Sequence, residues 1–213
     1  MVLTLRYLSP MPQRRVARRR LTAADWAEAA LDALRDEGSL SAIAIEPLAA
    51  RLGATKGSFY WHFANRDALI DAALAGWEAR STEELTEAVA AGEDDPAARG
   101  RELLRTMTGL AHRDPTELAL LAEAGQPRVA ATLERVITRR LEALAALLET
   151  ELALPREEAR SRALHAYCDQ LGRAQLARAI PAVLPEAADD EETVIDSAWH
   201  SLLGAAAGGQ RGA

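Results

Sequence analysis

Apolar side chains recur every three or four residues along most of the chain, the spacing that places them on one face of an α-helix. The first such stretch follows Thr22, which forms a capping box with Asp25, and it ends at Gly38. The sequence has no runs dense in β-branched side chains, which strands favour. The pattern therefore predicts an all-α fold of nine or ten helices.

Proline and capping residues delimit the later helices. Asn65 is expected to cap a helix that runs from Arg66 to about Ala91, with a break near Ser81. Further helices are expected to open at Pro96 and Pro115. Three more are expected, from Pro127 to about Leu152, from Pro155 to near Pro181, and from Asp190 to about Ala205.

Residues 45–69 read IEPLAARLGATKGSFYWHFANRDAL and have a distinct organisation. A short helix over residues 46–52 ends at Gly53, and after a three-residue turn Thr55 is the natural N-cap of a second short helix. Two short helices joined by a tight glycine turn are typical of a helix-turn-helix, whose second helix enters the major groove of DNA. The segment predicts a DNA-binding module.

The residue types of the second helix suit contacts with DNA. Lys56, the only lysine of the chain, can reach a guanine edge or a phosphate, and Gly57 lets the backbone approach closely. Hydroxyl groups such as that of Ser58 fix register on phosphates without reading sequence. The candidate DNA-binding residues are Thr55, Lys56, Gly57, Ser58, Tyr60, Trp61, His62 and Arg66, the last as a phosphate clamp from the following helix.

A competing role for the aromatic residues is the core of the module. Phe59 and Phe63 are four residues apart and share a helix face, which is expected to pack against Leu48 and Leu52. The side chains between them then point outward, with Trp61 at the edge. The helix thus divides into a packing face and a DNA-facing side.

The net charge of −7 is unusual for a protein that binds DNA, but it is unevenly distributed. Residues 1–77 carry ten basic and eight acidic side chains, whereas residues 78–213 carry fifteen and twenty-four. This asymmetry indicates a slightly basic module attached to a larger acidic body that phosphates would repel. Residues 1–21 are rich in arginine. They form either a solvated tail or an arm that follows phosphates or enters the minor groove of DNA.

Composition and spacing exclude several other classes. The sequence has no nucleophilic triad or phosphate loop, and its four histidines lack close metal-ligand spacing, so we expect no enzyme activity, cofactor or metal. The single cysteine, Cys168, cannot form an internal disulfide, which fits a reducing cytoplasm. No window is apolar over the roughly eighteen residues of a membrane span. We therefore expect a cytoplasmic protein that does not enter a membrane.

The string LAARLGATKGSFYWHFANRDAL closely resembles the signature of the TetR family of bacterial transcriptional regulators. The matching positions are Leu48, Ala49, Leu52, Gly53, Lys56, Gly57, Ser58, Phe59, Tyr60, His62, Phe63 and Leu69. The resemblance in motif covers residues 22–77, and beyond them it rests on length and helical layout. Two positions depart from the pattern, because Ala44 replaces the usual Ser or Thr cap of the second helix and Glu46 occupies a position that is often basic or polar.

The resemblance implies roles for single residues. Ser58, Tyr60 and His62 fall on positions that contact operator phosphates, Lys56 and Gly57 fall at the base-reading end, and Arg66 replaces the usual lysine with its charge kept. Glu46 either accepts a hydrogen bond from a cytosine amino group or favours the positive end of the helix dipole, and we prefer the second interpretation.

The resemblance also implies a homodimer and a small-molecule effector bound by the body. Helices near residues 159–180 and 190–205 have wide apolar faces with small residues and suit a four-helix interface, although the same faces could form intramolecular core. Met107, His112 and Tyr167 are candidate ligand contacts.

We therefore expect four segments: a basic arm over residues 1–21, a helix-turn-helix domain over 22–77, an effector-binding and dimerisation domain over 78–207, and a disordered tail over 208–213. The function expected is a dimeric repressor that a ligand releases from operator DNA. An effector-independent DNA-binding regulator and an all-α sensor without DNA binding remain open alternatives.

Overall fold

The computed structural model describes residues 20–90, 95–113, 115–184 and 191–204, and within these ranges every regular element is helical. This part of the chain forms α1 (Ala23–Glu37), α2 (Ile45–Arg51), α3 (Lys56–Tyr60), α4 (Arg66–Ala90), α5 (Pro96–Arg113), α6 (Thr116–Ala122), α7 (Pro127–Leu152), α8 (Arg156–Ala179) and α9 (Glu191–Gly204). Short 3₁₀ turns cover Leu40–Ala42 and Pro181–Val183. The predicted all-α class is confirmed. The tail over residues 208–213 and all but the last two residues of the arm lie outside the described ranges.

Capping chemistry sets the boundaries of the first helices as predicted. The Thr22 hydroxyl accepts a hydrogen bond from the backbone N–H of Asp25 at 3.2 Å, and the Asp25 carboxylate accepts one from the N–H of Thr22 at 2.7 Å. Gly38 ends α1 with a φ of 68°, in the left-handed region that glycine adopts without strain. Ala44 caps α2 without a side-chain hydrogen bond.

Three features of the helix boundaries differ from the prediction. Pro155 is the N-cap of α8, which begins at Arg156. A break near Ser81 is wrong, because α4 is continuous through that residue. The hydroxyls of Thr82 and Thr86 donate back to carbonyls one turn earlier in the same helix, at 2.8 Å, so these polar side chains are satisfied without interrupting it. Pro115 is not the first residue of α6 but the residue before it, with a ψ of 4° that lies outside the helical region.

The buried apolar side chains form two clusters. The first joins α1 to α4 with α6 and the first half of α7, and Trp26 and Phe59 are fully buried in it. The second joins the end of α4 with α5, α7, α8 and α9. Ile137 of α7 packs against both clusters. The N-terminal helices thus share a core with α6 and α7, and a domain boundary after residue 77 stays a prediction.

Ion pairs hold α4 along one side of α7. The Glu78 carboxylate accepts hydrogen bonds from Arg135 at 2.6 Å and from Arg139 at 3.0 Å. These bonds, that of Arg135 first, hold the pKa of Glu78 below its usual value against the opposing effect of burial. Arg128 pairs with Asp67 at 3.1 Å near the start of α4. The helix that follows α3 is therefore fixed to the rest of the protein by polar as well as apolar contacts.

None of the helices within the described ranges combines the length and the apolar character needed to cross a bilayer.

We predict that Phe59→Ala lowers the free energy of unfolding by about 3–5 kcal/mol, because it opens a cavity beneath α3. The Phe59 ring is fully buried and meets the Trp26 ring edge-on, with centroids 5.4 Å apart. Urea denaturation followed by circular dichroism measures the loss. Trp61→Ala is the control, because this side chain is 88% exposed and its removal should change stability by less than about 0.5 kcal/mol. Equal losses in both variants would contradict the packing described.

Candidate nucleic-acid interface

α2 and α3 are joined by a tight turn at Gly53. Gly53 has a φ of 61°, and its N–H donates to the carbonyl of Ala50 at 3.1 Å. The next N–H, of Ala54, donates to the carbonyl of Ala49 at 2.8 Å, which closes the end of α2. The positive φ explains the glycine, since any other residue would be strained there. The turn fixes the angle at which α3 leaves α2.

Thr55 caps α3 as the sequence predicts. Its hydroxyl accepts a hydrogen bond from the N–H of Ser58 at 3.2 Å. Gly57 follows with an exposed backbone, and a Cβ placed there would touch only the Thr55 hydroxyl, at an ordinary 3.7 Å. The fold itself therefore does not need a glycine at this position. Any reason for the glycine lies outside the fold, on the exposed surface of α3.

α3 has the two faces predicted from its sequence. Phe59 and Phe63 are buried and stack with their centroids 5.6 Å apart, whereas Tyr60 is 53% exposed. Trp61 is fully solvated rather than at the edge, and His62 is half-buried. The exposed side of α3 thus presents a phenol, an indole and an imidazole at its C-terminal end.

Lys56 and Glu46 form an exposed ion pair across the two helices. The Nζ of Lys56 lies 2.9 Å from Oε1 of Glu46. Their hydrogen bond lowers the pKa of Glu46 and raises the pKa of Lys56, and the attraction between the two charges adds to both shifts. Glu46 lies in the first turn of α2, as the helix-dipole interpretation requires, but it also neutralises the lysine expected to meet DNA. The sequence did not reveal this contact because it depends on the angle between α2 and α3.

Arg66 does not project outward as a free phosphate clamp. Its Nε donates to the carbonyl of Ile43 at 2.5 Å, and a terminal nitrogen donates to the carbonyl of Leu40. The side chain is half-buried, and its donors stabilise the segment between α1 and α2. The structure thus gives Arg66 a structural role, and its expected role as a phosphate clamp stays a prediction. The cause is tertiary, because the two carbonyls lie within reach of the start of α4; that of Leu40 also accepts from the N–H of Ile43 at 3.1 Å.

Sequence reasoning missed Arg51 beside α3, whereas Arg20 belongs to the arm predicted over residues 1–21. An open groove of about 910 Å³ runs past the turn and the outer face of α3. It is lined by Arg20, Leu21, Arg51, Leu52, Gly53, Ala54, Thr55, Ser58, Trp61 and His62. Arg51, the last residue of α2, pairs with Asp36 at 3.0 Å. Its position at the end of α2, next to the glycine turn, was the available signal.

The match to a family model decides the identity of this region. Residues 28–73 match the model described as bacterial regulatory proteins of the tetR family. Residues 28–73 therefore have a TetR-family sequence. The matched residues include α2, the glycine turn, α3 and the start of α4, so the predicted resemblance is confirmed for the segment that carries it.

Solved structures extend the likeness to the whole fold. A transcriptional regulator from Rhodococcus sp. Rha1 aligns with a TM-score of 0.69 and 22% identity over 87% of this chain and 97% of its own. A TetR-like regulator from Rhodococcus sp. RHA1 aligns with a TM-score of 0.65 and 21% identity over 91% and 100%. The regulator FadR from Bacillus subtilis, crystallised with stearoyl-CoA, aligns with a TM-score of 0.63 and 12% identity over 84% and 96%. The sequence matches none of the curated proteins with which it was compared.

The candidate ligand residues of the body are only partly described. The side chains of Met107 and His112 lie outside the described part of the structure. Tyr167 is buried, and its hydroxyl donates to Glu117 at 2.5 Å. Burial, with the Glu117 charge next, raises the pKa of Tyr167 well above its usual value, so the phenol stays protonated. Within the described ranges, no group of three or more His, Cys, Asp or Glu side chains is placed to hold a metal ion.

We predict that Arg66→Ala destabilises the fold without removing a phosphate contact. The loss of two hydrogen bonds to backbone carbonyls should lower the free energy of unfolding by about 1–3 kcal/mol. The slope of log affinity for DNA against log salt concentration should stay at the wild-type value, because no phosphate partner is lost. Thermal melts and fluorescence anisotropy at several salt concentrations measure the two effects. A slope reduced by about one, with unchanged stability, would restore the clamp role.

We predict that Glu46→Gln tightens binding to DNA of any sequence, because it removes a negative charge and frees Lys56 for a phosphate. Affinity should rise about threefold to tenfold, and the salt slope should become steeper by about one. Glu83→Gln is the matched control, since it removes the same charge from an exposed position on α4. A selective loss of affinity at the operator would oppose this expectation and assign Glu46 to a cytosine.

Proposed function

We propose that the protein is a dimeric transcriptional regulator that represses genes by occupying operator DNA and leaves the DNA when a small molecule binds its body. The observation that carries this proposal is the TetR-family match over a helix-turn-helix whose α3 keeps its polar side exposed. Such a regulator works beside the chromosome in the cytoplasm, which is also the compartment that a single unpaired cysteine favours.

The exposed side of α3 supplies the proposed DNA contacts. Contacts with phosphates would come from Ser58, Tyr60 and His62, and these would position the module on DNA. Thr55 caps the N-terminal end of α3, which would point at the DNA backbone. Lys56 and Gly57 would meet base edges once Lys56 leaves Glu46. Trp61 would border the same surface. Arg20 and Arg51 add positive charge along the adjoining groove.

A dimer would use the outer face of α8. Leu164 and Leu176 are exposed on the outer side of α8, and Ile180 is exposed just after it. Their spacing in multiples of four residues places them on one ridge, here called the stripe, which winds around the outer side of the helix. Cys168 and Gly172 occupy the two intervening positions, and both are exposed. An apolar stripe broken by small residues suits close packing of two helices. α9 lies beside α8, so the two helices of each subunit would build a four-helix interface.

The proposed ligand response has a mechanical route through α6. Glu123, just after α6, accepts hydrogen bonds from the Ser39 hydroxyl at 2.7 Å and from the N–H of Leu40 at 3.0 Å. Glu117, in the first turn of α6, bonds to Arg140 of α7 and to Tyr167 of α8. One short helix thus contacts both the DNA module and the interior of the body. A ligand that moves α6 would change the separation of the two α3 helices from the roughly 34–36 Å repeat of the major groove.

The relatives support a small-molecule effector in general terms. FadR from Bacillus subtilis shares this fold and was crystallised with stearoyl-CoA. Since only the fold is shared, the comparison supports a ligand site in the body of this protein but not the identity of the ligand.

We predict that Gly57→Ala and Tyr60→Phe weaken binding to the DNA upstream of the protein's own gene and leave the fold intact. An added methyl at position 57 would stand between the backbone and DNA, and loss of the Tyr60 hydroxyl would remove a phosphate contact. Each should cost about 1–3 kcal/mol of binding free energy. Gel shift measures binding, and the thermal midpoint should stay level or rise in Gly57→Ala.

Ser161→Ala on the exposed side of α8 serves as the control, since it lies outside the TetR domain. If wild-type protein shifts no DNA fragment from its own upstream region, the sensor without DNA binding is favoured. Binding that no small molecule reverses favours the effector-independent regulator.

We predict that Leu164→Glu converts the protein from dimer to monomer, because two like charges would face each other in an apolar interface. Sedimentation velocity measures the mass. Val89→Glu on α4 is the matched control, since Val89 is exposed to a similar degree, 53% against 47%, but lies off the stripe. A wild-type monomer, or a dimer that survives Leu164→Glu, would rule out this interface.

A further inference from the structure

A polar cluster lies inside the body where α6, α7 and α8 meet. Arg140 of α7 and Tyr167 of α8 both bond to the carboxylate of Glu117, each to a different oxygen. All three side chains are buried. Gln170 lies one turn beyond Tyr167 on the inner face of α8 and is 2% exposed. Polar groups so deep in a protein are expected to be fully hydrogen-bonded.

Three atoms of this cluster lack a partner. Both the Oε1 and the Nε2 of Gln170, and the Nε of Arg140, are buried without a hydrogen bond to any described residue. α7 and α8 are antiparallel and joined by a short loop, and Arg140 lies as far from that loop as Cys168 does. Arg140 and Gln170 are therefore at the same level of the helix pair. Two unused donor atoms and one unused acceptor atom therefore lie at one level of the body.

The charges of the cluster are already balanced. The carboxylate of Glu117 compensates the guanidinium of Arg140, and Tyr167 remains a neutral phenol. A ligand with a formal charge would be left without a counter-charge in this buried place, which is unfavourable. An uncharged group that combines an acceptor oxygen with an N–H donor complements all three unused atoms.

We propose that Gln170, with the Nε of Arg140, binds the head group of the effector, and that this head group is a neutral carboxamide or a close equivalent on an apolar body. The carbonyl oxygen of the ligand accepts hydrogen bonds from Nε2 of Gln170 and from Nε of Arg140. The amide N–H of the ligand donates to Oε1 of Gln170. Besides Tyr167 and Gln170, the inner face of α8 carries Arg162, which is paired with Glu158 and the carbonyl of Leu202. The remaining buried positions of α8 are alanines, at 159, 163, 166 and 174, beside the leucines of the second cluster. This inference rests on the proposed ligand-responsive function and adds the chemistry of the ligand.

The test uses the full-length dimer and a series of primary amides from propanamide to decanamide, with the matching carboxylates and alkylamines. At least one amide should raise the melting temperature of the wild type, and the matching charged compounds should bind about tenfold more weakly or not at all. Gln170→Met keeps the size of the side chain and removes both unpaired groups. It should melt at or above the wild-type temperature without ligand, yet bind the amide about tenfold more weakly.

Gln175→Met is the matched control, because Gln175 lies on the same helix and is exposed. It should keep the wild-type response to the amide. Three results would overturn the proposal: no amide stabilises the protein, Gln170→Met responds like the wild type, or carboxylates bind as well as amides. The first of these would assign the unpaired atoms to ordered water alone.

Gel shifts on the same samples separate this proposal from the function on which it rests. Amide binding that depends on Gln170 but leaves the DNA complex intact would uphold the site and contradict ligand release. DNA binding that another compound reverses, with no amide effect, would uphold the function and contradict the site.

Discussion

Hydrogen bonds from α4 and from the end of α6 hold the backbone between α1 and α2, the segment that leads into α2 and α3. Arg66, from the start of α4, donates to the carbonyls of Leu40 and Ile43, and Glu123, from the end of α6, accepts from the N–H of Leu40. The segment that leads into the helix-turn-helix is thus held from two sides. The helices that carry or precede these two side chains, α4 and α6, also pack in the hydrophobic core beneath α3.

Ion pairs within the protein bear on how this acidic chain would meet DNA. Acidic side chains of α1 and α4 are paired with arginines, for example Glu28 with Arg80 and Glu78 with Arg135. At the reading helix, Lys56 is held by Glu46 in the free protein. Non-specific attraction to phosphates is thereby weakened, so binding is expected to rely on contacts that a correct sequence and shape provide.

The body places polar groups where a purely structural core would have apolar ones. Glu117, Arg140 and Tyr167 satisfy one another, but Gln170 finds no partner among the described residues. α6 links this cluster to the module, since Glu117 lies in its first turn and Glu123 is the residue that follows its end. A regulator whose ligand binds beside Gln170 would therefore act on the backbone that Glu123 holds.

Local chemistry alone determined the all-α class, most helix boundaries and the helix-turn-helix. The Thr22 and Thr55 caps, the glycine turn and the Phe59–Phe63 face are relations between residues a few positions apart, so periodicity and capping rules suffice to find them. Only the tertiary structure decided which atoms Arg66 and Lys56 bond to, and that Gln170 is left without a hydrogen bond to any described residue. Those contacts join segments distant in sequence, and the angle between packed helices, which no local pattern encodes, determines which polar atoms meet and which remain unpaired.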